Sequence, residues 1–193
     1  AITVVGTRTP SAYSVQVADT ICRELVRANL TIVSGFALGL DAVAHKAALL
    51  EHGRTVAVMG CGLDVPYPRA KRGLLLTEYP PGSAVRPQNF PKRNRILAAI
   101  SQGTLVIQAA LGSGSLITAS LAAEQGKDVF RGGQLRPGGM DVQGAAAFIV
   151  IRLIAIHAEH GEQGGQLHAL AHDVGQGDVV GPVIIGGQVK HAP

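Results

Sequence analysis

This chain of 193 residues has few cysteines, few charges and no apolar run long enough to cross a membrane. Its two cysteines, Cys22 and Cys61, lie in different predicted elements and form no CxxC motif, a usage that fits a reducing cytoplasm. The apolar stretch from Ala145 to Ile156 is about a dozen residues long and contains Arg152, whereas a membrane helix needs roughly 20 residues. The sequence therefore predicts a cytoplasmic protein that makes no membrane contact.

Two further signals are missing, and each absence narrows the possible functions. No GxxxxGK[ST] motif occurs, so ATP hydrolysis at a P-loop is not expected. No secretory leader precedes the first strand-like run, and the chain does not begin with Met, so we expect a fragment or a processed chain. We predict a binding protein without enzymatic activity, metal or other cofactor.

Short runs of Val, Ile and Leu alternate with segments of helical periodicity. Strands are predicted at Ile2 to Val5, Leu30 to Val33, Thr55 to Met59, Leu74 to Glu78, Thr104 to Gln108 and Lys127 to Phe130. Helices are predicted at Ser11 to Ala28, Asp41 to Gly53, Pro91 to Ser101 and Leu116 to Gln125. Continuous apolar strands separated by helices indicate a parallel sheet that is covered on both faces. Residues 1–130 are thus predicted to form a doubly wound, Rossmann-like α/β domain.

The composition changes after Phe130. Residues 131–193 hold 13 of the 25 glycines and five of the seven histidines, but only four of the 17 Lys and Arg residues. Within them, His157 with His160 and His168 with His172 have the spacing of two ligands on one helical face. Histidines in a segment rich in Gln and Gly are more often unliganded, so we predict no metal site. Residues 131–193 are predicted to form a separate tail, rich in Gly and His, in which the hydrophobic pattern indicates no definite helix or strand.

Positive charge is concentrated in the middle of the chain. Between residues 69 and 95, seven cations stand against the single acid Glu78, namely Arg69, Lys71, Arg72, Arg86, Lys92, Arg93 and Arg95. Such a distribution favours a polyanionic partner, and the competing interpretation is a solvated basic face.

Three glycine-containing loops follow predicted strands, at Gly6 to Arg8, Ser34 to Asp41 and Gly112 to Ser115. Since the carboxyl ends of parallel strands meet at one edge of a sheet, these loops are expected to form one anion-binding crevice. The helices behind the last two loops would add their positive ends. Asp41 and Ser115 are predicted to be the N-caps of those helices.

The segment Asn89 to Arg95 places three cations beside the aromatic ring of Phe90 at the start of a predicted helix. This start is expected to aim unpaired N–H groups at the same crevice. A ring among cations is the combination that binds single strands, although Phe90 could instead belong to the core. The three cations cannot all face one way on a helix, so at least one is expected to form a structural ion pair. Asn94 is expected to cap the helix or to bridge two segments.

Five motifs, in this order, resemble those of the DNA-processing protein A (DprA/Smf) family: Gly6-Thr7-Arg8, Ser34 to Asp41, Glu78-Tyr79-Pro80-Pro81-Gly82, Phe90 to Ile96 and Ser113 to Ala119. The resemblance covers residues 1–130. It implies an extended Rossmann-like domain that binds single-stranded DNA without much sequence preference. It also implies a role in natural transformation, in which the protein protects incoming DNA and helps to load the recombinase RecA, usually as a homodimer.

The predicted DNA-binding residues are Arg8, Ser34, Gly35, Gly39, Phe90, Lys92, Arg93, Arg95, Gly114 and Ser115. The arginines and Lys92 would hold phosphates, Phe90 would stack on a base, and the loop residues would approach the strand closely. The alternative is a nucleotide sensor or a phosphoribohydrolase acting on nucleoside monophosphates, on a related fold. Such enzymes use a Pro-Gly-Gly-x-Gly-Thr loop, where this chain has Gly112 to Ile117.

Overall fold

The computed structural model describes residues 1–65 and 73–132, so the predicted tail lies almost wholly outside the described residues, as do Arg69, Lys71 and Arg72. The helices are α1 (Ala12–Arg27), α2 (Leu40–Leu50), α3 (Asn89–Ile100) and α4 (Gly114–Glu124). The strands are β1 (Ile2–Val5), β2 (Ile32–Ser34), β3 (Thr55–Val58), β4 (Leu74–Leu76), β5 (Gly103–Val106) and β6 (Asp128–Arg131). Each predicted strand and helix is therefore present, with shifts of a few residues at its ends.

The strands form one sheet in the order β4-β3-β2-β1-β5-β6, and every neighbouring pair is parallel. The predicted Rossmann-like α/β fold is confirmed. Strand order runs outward in one direction from β1 to β4 and in the other from β5 to β6. The reversal lies between β1 and β5, the position where open α/β sheets bind ligands.

Alternate residues of each strand face opposite sides of the sheet, and each side has its own core. On one side, Ile2 and Val4 of β1 pack with buried residues of α1 and α2, including Ile21 and Leu25. On the other side, strand residues pack with α3 and α4 in a second cluster, which contains Val5, Val33, Val58, Ile96, Leu97, Val106 and Ala119. This two-sided burial explains why the inner strands β1, β2, β3 and β5 are mainly apolar.

A buried threonine fixes α3 against the centre of the sheet. Thr3 has no exposed surface, and its Oγ1 donates a hydrogen bond to the carbonyl of Leu97 at 2.7 Å. The same Oγ1 lies 2.6 Å from Oγ of Ser101, which follows the end of α3. The polar group in β1 is thereby satisfied, and the register of α3 on the sheet is set.

The helix starts differ from the predicted caps. Gly39 is the N-cap of α2 and Ser113 is the N-cap of α4, so the N-cap roles predicted for Asp41 and Ser115 are wrong. The reason at α2 is steric, because Gly39 has a φ of 82° and a β-carbon there would lie 2.3 Å from the carbonyl oxygen of Thr7. Only glycine can make this approach, and the helix starts directly after it.

The described part of the chain contains no helix that is long and apolar enough to span a bilayer. Cys22 and Cys61 are both buried and free of disulfide bonds. Burial raises the pKa of the Cys22 thiol to about 12, with a further contribution from Asp19. Cys22 is therefore a protonated core residue, because nucleophilic attack by a cysteine requires the thiolate.

Truncation of the core of α1 tests the packing. Ile21 is fully buried, whereas Gln16 on the same helix is exposed. We expect Ile21→Ala to lower the free energy of unfolding by about 2–5 kcal/mol, because it removes buried methyl groups and leaves a cavity. Gln16→Ala should change it by less than about 0.5 kcal/mol. Urea unfolding followed by circular dichroism measures both, and equal midpoints for the two variants would contradict the packing described.

Candidate functional site

The loops that follow β1, β2 and β5 contact one another at the carboxyl edge of the sheet. The N–H of Thr7 donates to the carbonyl of Gln108 at 2.7 Å, which joins the loops after β1 and β5. The N–H of Leu40 donates to the carbonyl of Thr7 at 3.2 Å, which joins the loops after β1 and β2. Oγ of Ser115 donates to the carbonyl of Gly6 at 2.9 Å. The three loops therefore meet at one edge of the sheet, as predicted.

Phe90 is the second residue of α3, and its ring contacts Arg8 of this loop cluster. Its ring is half-buried, and a β-carbon on Gly60 would lie 3.2 Å from the ring, so Gly60 allows the close approach. The guanidinium carbons of Arg8 and Arg93 lie 5.3 Å and 5.8 Å from the ring centroid, which is cation–π distance. Arg8 and the cationic segment of α3 are thus brought together, as expected from the sequence.

The three cations of α3 point to different places. Lys92 is exposed and has no hydrogen-bond or ion-pair partner among the described residues. Arg95 is exposed and forms an ion pair with Glu78. Arg93 is only 4% exposed. The expectation that one of the three makes an ion pair is confirmed by Arg95, and Lys92 offers its charge to solvent.

The buried Arg93 side chain holds the ends of two strands. Its Nη1 donates to the carbonyl of Gly35 at 2.5 Å and also to the carbonyl of Val58. Its Nε donates to Oδ1 of Asn94 at 3.2 Å, and Nδ2 of Asn94 donates to the carbonyl of Gly114 at 3.0 Å. The bridging role expected of Asn94 is confirmed. The loops after β2, β3 and β5 are joined through these two side chains.

Ser34 and Asp41 also bond within the protein. Ser34 is fully buried, and its hydroxyl donates to the carbonyl of Val4 at 2.6 Å. Oδ2 of Asp41 accepts hydrogen bonds from the N–H groups of Gly35 and Ala37, at 3.1 Å and 3.3 Å. Asp41 therefore holds the glycine loop through these two hydrogen bonds and does not cap α2. Burial raises its pKa to about 6, although the Arg93 guanidinium and the two N–H groups act in the opposite direction.

A buried histidine lies one helical turn beyond Asp41. Oγ1 of Thr55 donates to the carbonyl of Ile32 at 2.9 Å, so it accepts from Nδ1–H of His45 at 2.7 Å. Burial lowers the pKa of His45 to about 4, with a further contribution from Arg93, so the imidazole is neutral at pH 7. Its ring meets that of Phe36 edge-to-face, with centroids 5.4 Å apart. His45 was not predicted as a site residue, since helical spacing alone does not separate it from an apolar core position.

The start of α3 does not present the unpaired N–H groups that the sequence predicted. The N–H of Asn89 donates to the carbonyl of Arg86 at 3.0 Å, and that of Phe90 to the carbonyl of Pro87 at 3.3 Å. The third residue, Pro91, has no N–H. A turn ahead of the helix therefore uses these donors, and attraction of an anion to this end of α3 depends mainly on side chains.

The start of α4 is different. The N–H groups of Gly114 and Ser115 have no hydrogen-bond partner within residues 1–65 and 73–132. Gly114 is exposed, and its carbonyl is held by Asn94 and by Oγ1 of Thr118 at 3.2 Å. A fixed helix start with open N–H donors favours an anion.

Among the described residues no group of three His, Cys, Asp or Glu side chains could hold a metal ion.

Comparisons with known proteins agree with the resemblance seen in the motifs. The model of the family described as DNA recombination-mediator protein A matches residues 1–159. Protein Smf of Synechocystis is 45% identical over 151 residues, which cover 74% of this chain and 37% of that protein. The structure of DNA processing protein A from Streptococcus pneumoniae has a TM-score of 0.64 and 38% identity, over 78% of this chain and 56% of that chain. This chain thus spans only part of the length of these relatives.

A second solved structure is matched over a larger share of its length than the Streptococcus structure is. DNA processing protein A from Helicobacter pylori has a TM-score of 0.68 and 31% identity, over 80% of each chain. That structure concerns the single-stranded DNA binding mode of the Helicobacter protein. The resemblance predicted from the five motifs is confirmed by these matches.

The raised pKa of Asp41 gives a pH dependence of stability. Between pH 4 and pH 6, the folded chain holds a proton on Asp41 that the unfolded chain has lost, so this group stabilises the fold less as pH rises. His45 has the opposite effect over a similar range, because its folded-state pKa is lowered. We therefore expect the stability of Asp41→Asn relative to the unsubstituted chain to rise by about 2 kcal/mol from pH 4 to pH 6.5. Urea unfolding across this range measures the difference, and a pH-independent difference would contradict the assignment.

Proposed function

Since this chain belongs to the DNA recombination-mediator protein A family, we propose that it binds single-stranded DNA at the carboxyl edge of its sheet, without sequence preference and without breaking a bond. The observation that carries the proposal is the meeting of Arg8, Phe90 and the start of α4 beside the point where strand order reverses. Such positions bind ligands in open α/β sheets. The Helicobacter relative, whose structure concerns single-stranded DNA, supports the same class of ligand.

The proposed phosphate contacts are the exposed donors of this edge. Arg8 offers a forked guanidinium and Lys92 a compact charge, while Gly114 and Ser115 offer backbone N–H groups. Arg95 joins them with part of its charge used by Glu78. The absence of a side chain at Gly35 and Gly39 lets their loops pack closely on Arg93 and Thr7, and Ser34 and Arg93 support the loops from the buried side. Positive groups along a groove bind the backbone of any sequence.

Phe90 is the proposed stacking residue. Stacking of a base on an aromatic ring contributes about 1–3 kcal/mol and tolerates every base. The half-buried ring is contacted by Gly60 and Arg93, and the exposed Arg8 lies over it. A fixed ring next to phosphate-binding groups accounts for a preference for single strands, because bases in a duplex are already stacked and paired.

The family membership extends the proposal to a biological role. We propose a cytoplasmic protein of DNA uptake and natural transformation that protects single strands and helps to load the recombinase RecA, as a homodimer. The matched residues span 37% of Protein Smf of Synechocystis. Contacts with RecA or with a second copy can therefore involve parts of the relatives that this chain does not match.

Binding in a salt series tests the proposed ligand. Fluorescence anisotropy with labelled oligo-dT, duplex DNA and AMP should show preference for the single strand, with a log–log salt slope of about −0.7 for each phosphate contacted. This slope arises because each neutralised phosphate releases a condensed cation. Hydrolysis of AMP without binding of oligo-dT would refute the proposal and favour the phosphoribohydrolase alternative.

Charge reversal at Lys92 tests the location of the site. We expect Lys92→Glu to weaken oligo-dT binding at least about fivefold at 0.1 M salt and to reduce the magnitude of the slope by about 0.7. Lys46→Glu is the matched control, since Lys46 is an exposed lysine of α2, which packs on the opposite side of the sheet from α3. Equal losses in the two variants would mean that only net charge matters and that the site is misplaced.

A further inference from the structure

Arg93 stands apart from the exposed cations because its donors are used inside the protein. It is 4% exposed, and its Nη1 and Nε bond to Gly35, Val58 and Asn94. A β-carbon on Gly35 would lie 2.6 Å from its Nη2, so the Gly35 backbone and the guanidinium are in close contact. A side chain held in this way is poorly placed to follow a phosphate backbone at the surface.

The same side chain is in contact with the proposed stacking residue. Its guanidinium carbon lies 5.8 Å from the centroid of the Phe90 ring, and Phe90 precedes it by three residues in the first turn of α3. Asn89, beside the ring, donates through Nδ2 to the carbonyl of Gly60 at 2.9 Å. The orientation of the ring thus depends on groups beneath it, and Arg93 connects that ring to the ends of β2 and β3.

We propose that Arg93 is a positioning residue for base stacking, which acts through Phe90 and the Gly35 loop and makes no phosphate contact. The inference rests on the proposed binding of single-stranded DNA and specifies how that site distinguishes bases from backbone. The geometry needs a guanidinium, because one planar group must reach two carbonyls and the Asn94 amide at once. A lysine keeps the charge but cannot make these bonds together.

The experiment compares two ligands that differ only in their bases. Oligo-dT and an abasic oligomer of the same length carry equal numbers of phosphates, so the ratio of their dissociation constants measures the contribution of the bases. We expect a ratio of about ten for the unsubstituted chain, from one stacked base. Arg93→Lys should reduce this ratio to about two while leaving the salt slope for both oligomers unchanged. Lys92→Met should do the reverse, with a slope smaller by about 0.7 and an unchanged ratio.

The control is Arg54→Lys, which makes the same substitution at an exposed arginine that bonds the carbonyl of Asn29 at the amino end of β3. It should change neither the ratio nor the slope. Thermal unfolding of every variant separates positioning from a general loss of structure, because partial unfolding weakens binding of both oligomers equally. If Arg93→Lys does not fold, Asn94→Ala removes one bond from Nε and should lower the ratio by about half.

The outcomes separate this inference from the function on which it rests. If the unsubstituted chain binds neither oligomer, the proposed function fails. If it binds both and the ratio stays at about ten in Arg93→Lys, or in Asn94→Ala where only that variant folds, Arg93 does not position the ring. A reduced slope in Arg93→Lys with an unchanged ratio would identify Arg93 as a phosphate ligand. A ratio near one in the unsubstituted chain also overturns the inference, because no stacked base would exist for Arg93 to influence.

Discussion

A buried guanidinium constrains the geometry of the candidate site. Removing the charge of Arg93 from water is costly unless its donors are satisfied, and the acceptors that bond them include the carbonyls of Gly35 and Val58 and the amide of Asn94. These acceptors belong to the loop after β2, to the last residue of β3 and to α3 itself. The loops therefore cannot separate without leaving a buried charge unpaired, and the carboxyl edge behaves as one preorganised surface.

Attraction for an anion is divided unequally between the two helices on that side of the sheet. The first donors of α3 are used by the preceding turn and by Pro91, whereas the N–H groups of Gly114 and Ser115 in α4 are open within the described residues. Side chains of α3 and main-chain groups of α4 thus supply different parts of the same field. A lysine ammonium on its flexible side chain can follow anions of variable shape, whereas the fixed start of a helix positions one anionic group.

Much of the fold could be predicted from the sequence because its signals are local and repeated. The run Ile2–Val5 is rich in Val and Ile, and α1 repeats apolar residues at helical spacing, so the type and order of these elements followed from pattern alone. Cap positions did not follow, because Gly39 is placed by a backbone contact with Thr7 that joins distant segments. The burial of Ser34 and Arg93 could not be predicted either. A sequence pattern places such polar residues at the surface, whereas the structure places both in the interior.

The contact between Arg8 and Phe90 has a kinetic consequence. The Arg8 guanidinium carbon lies 5.3 Å from the ring centroid, so this side chain covers part of the hydrocarbon ring. Under the proposed function, this guanidinium covers the ring again when a strand departs, so release exposes less apolar surface than release from an uncovered ring would. The same cover limits adhesion of the ring to other apolar surfaces at high protein concentration.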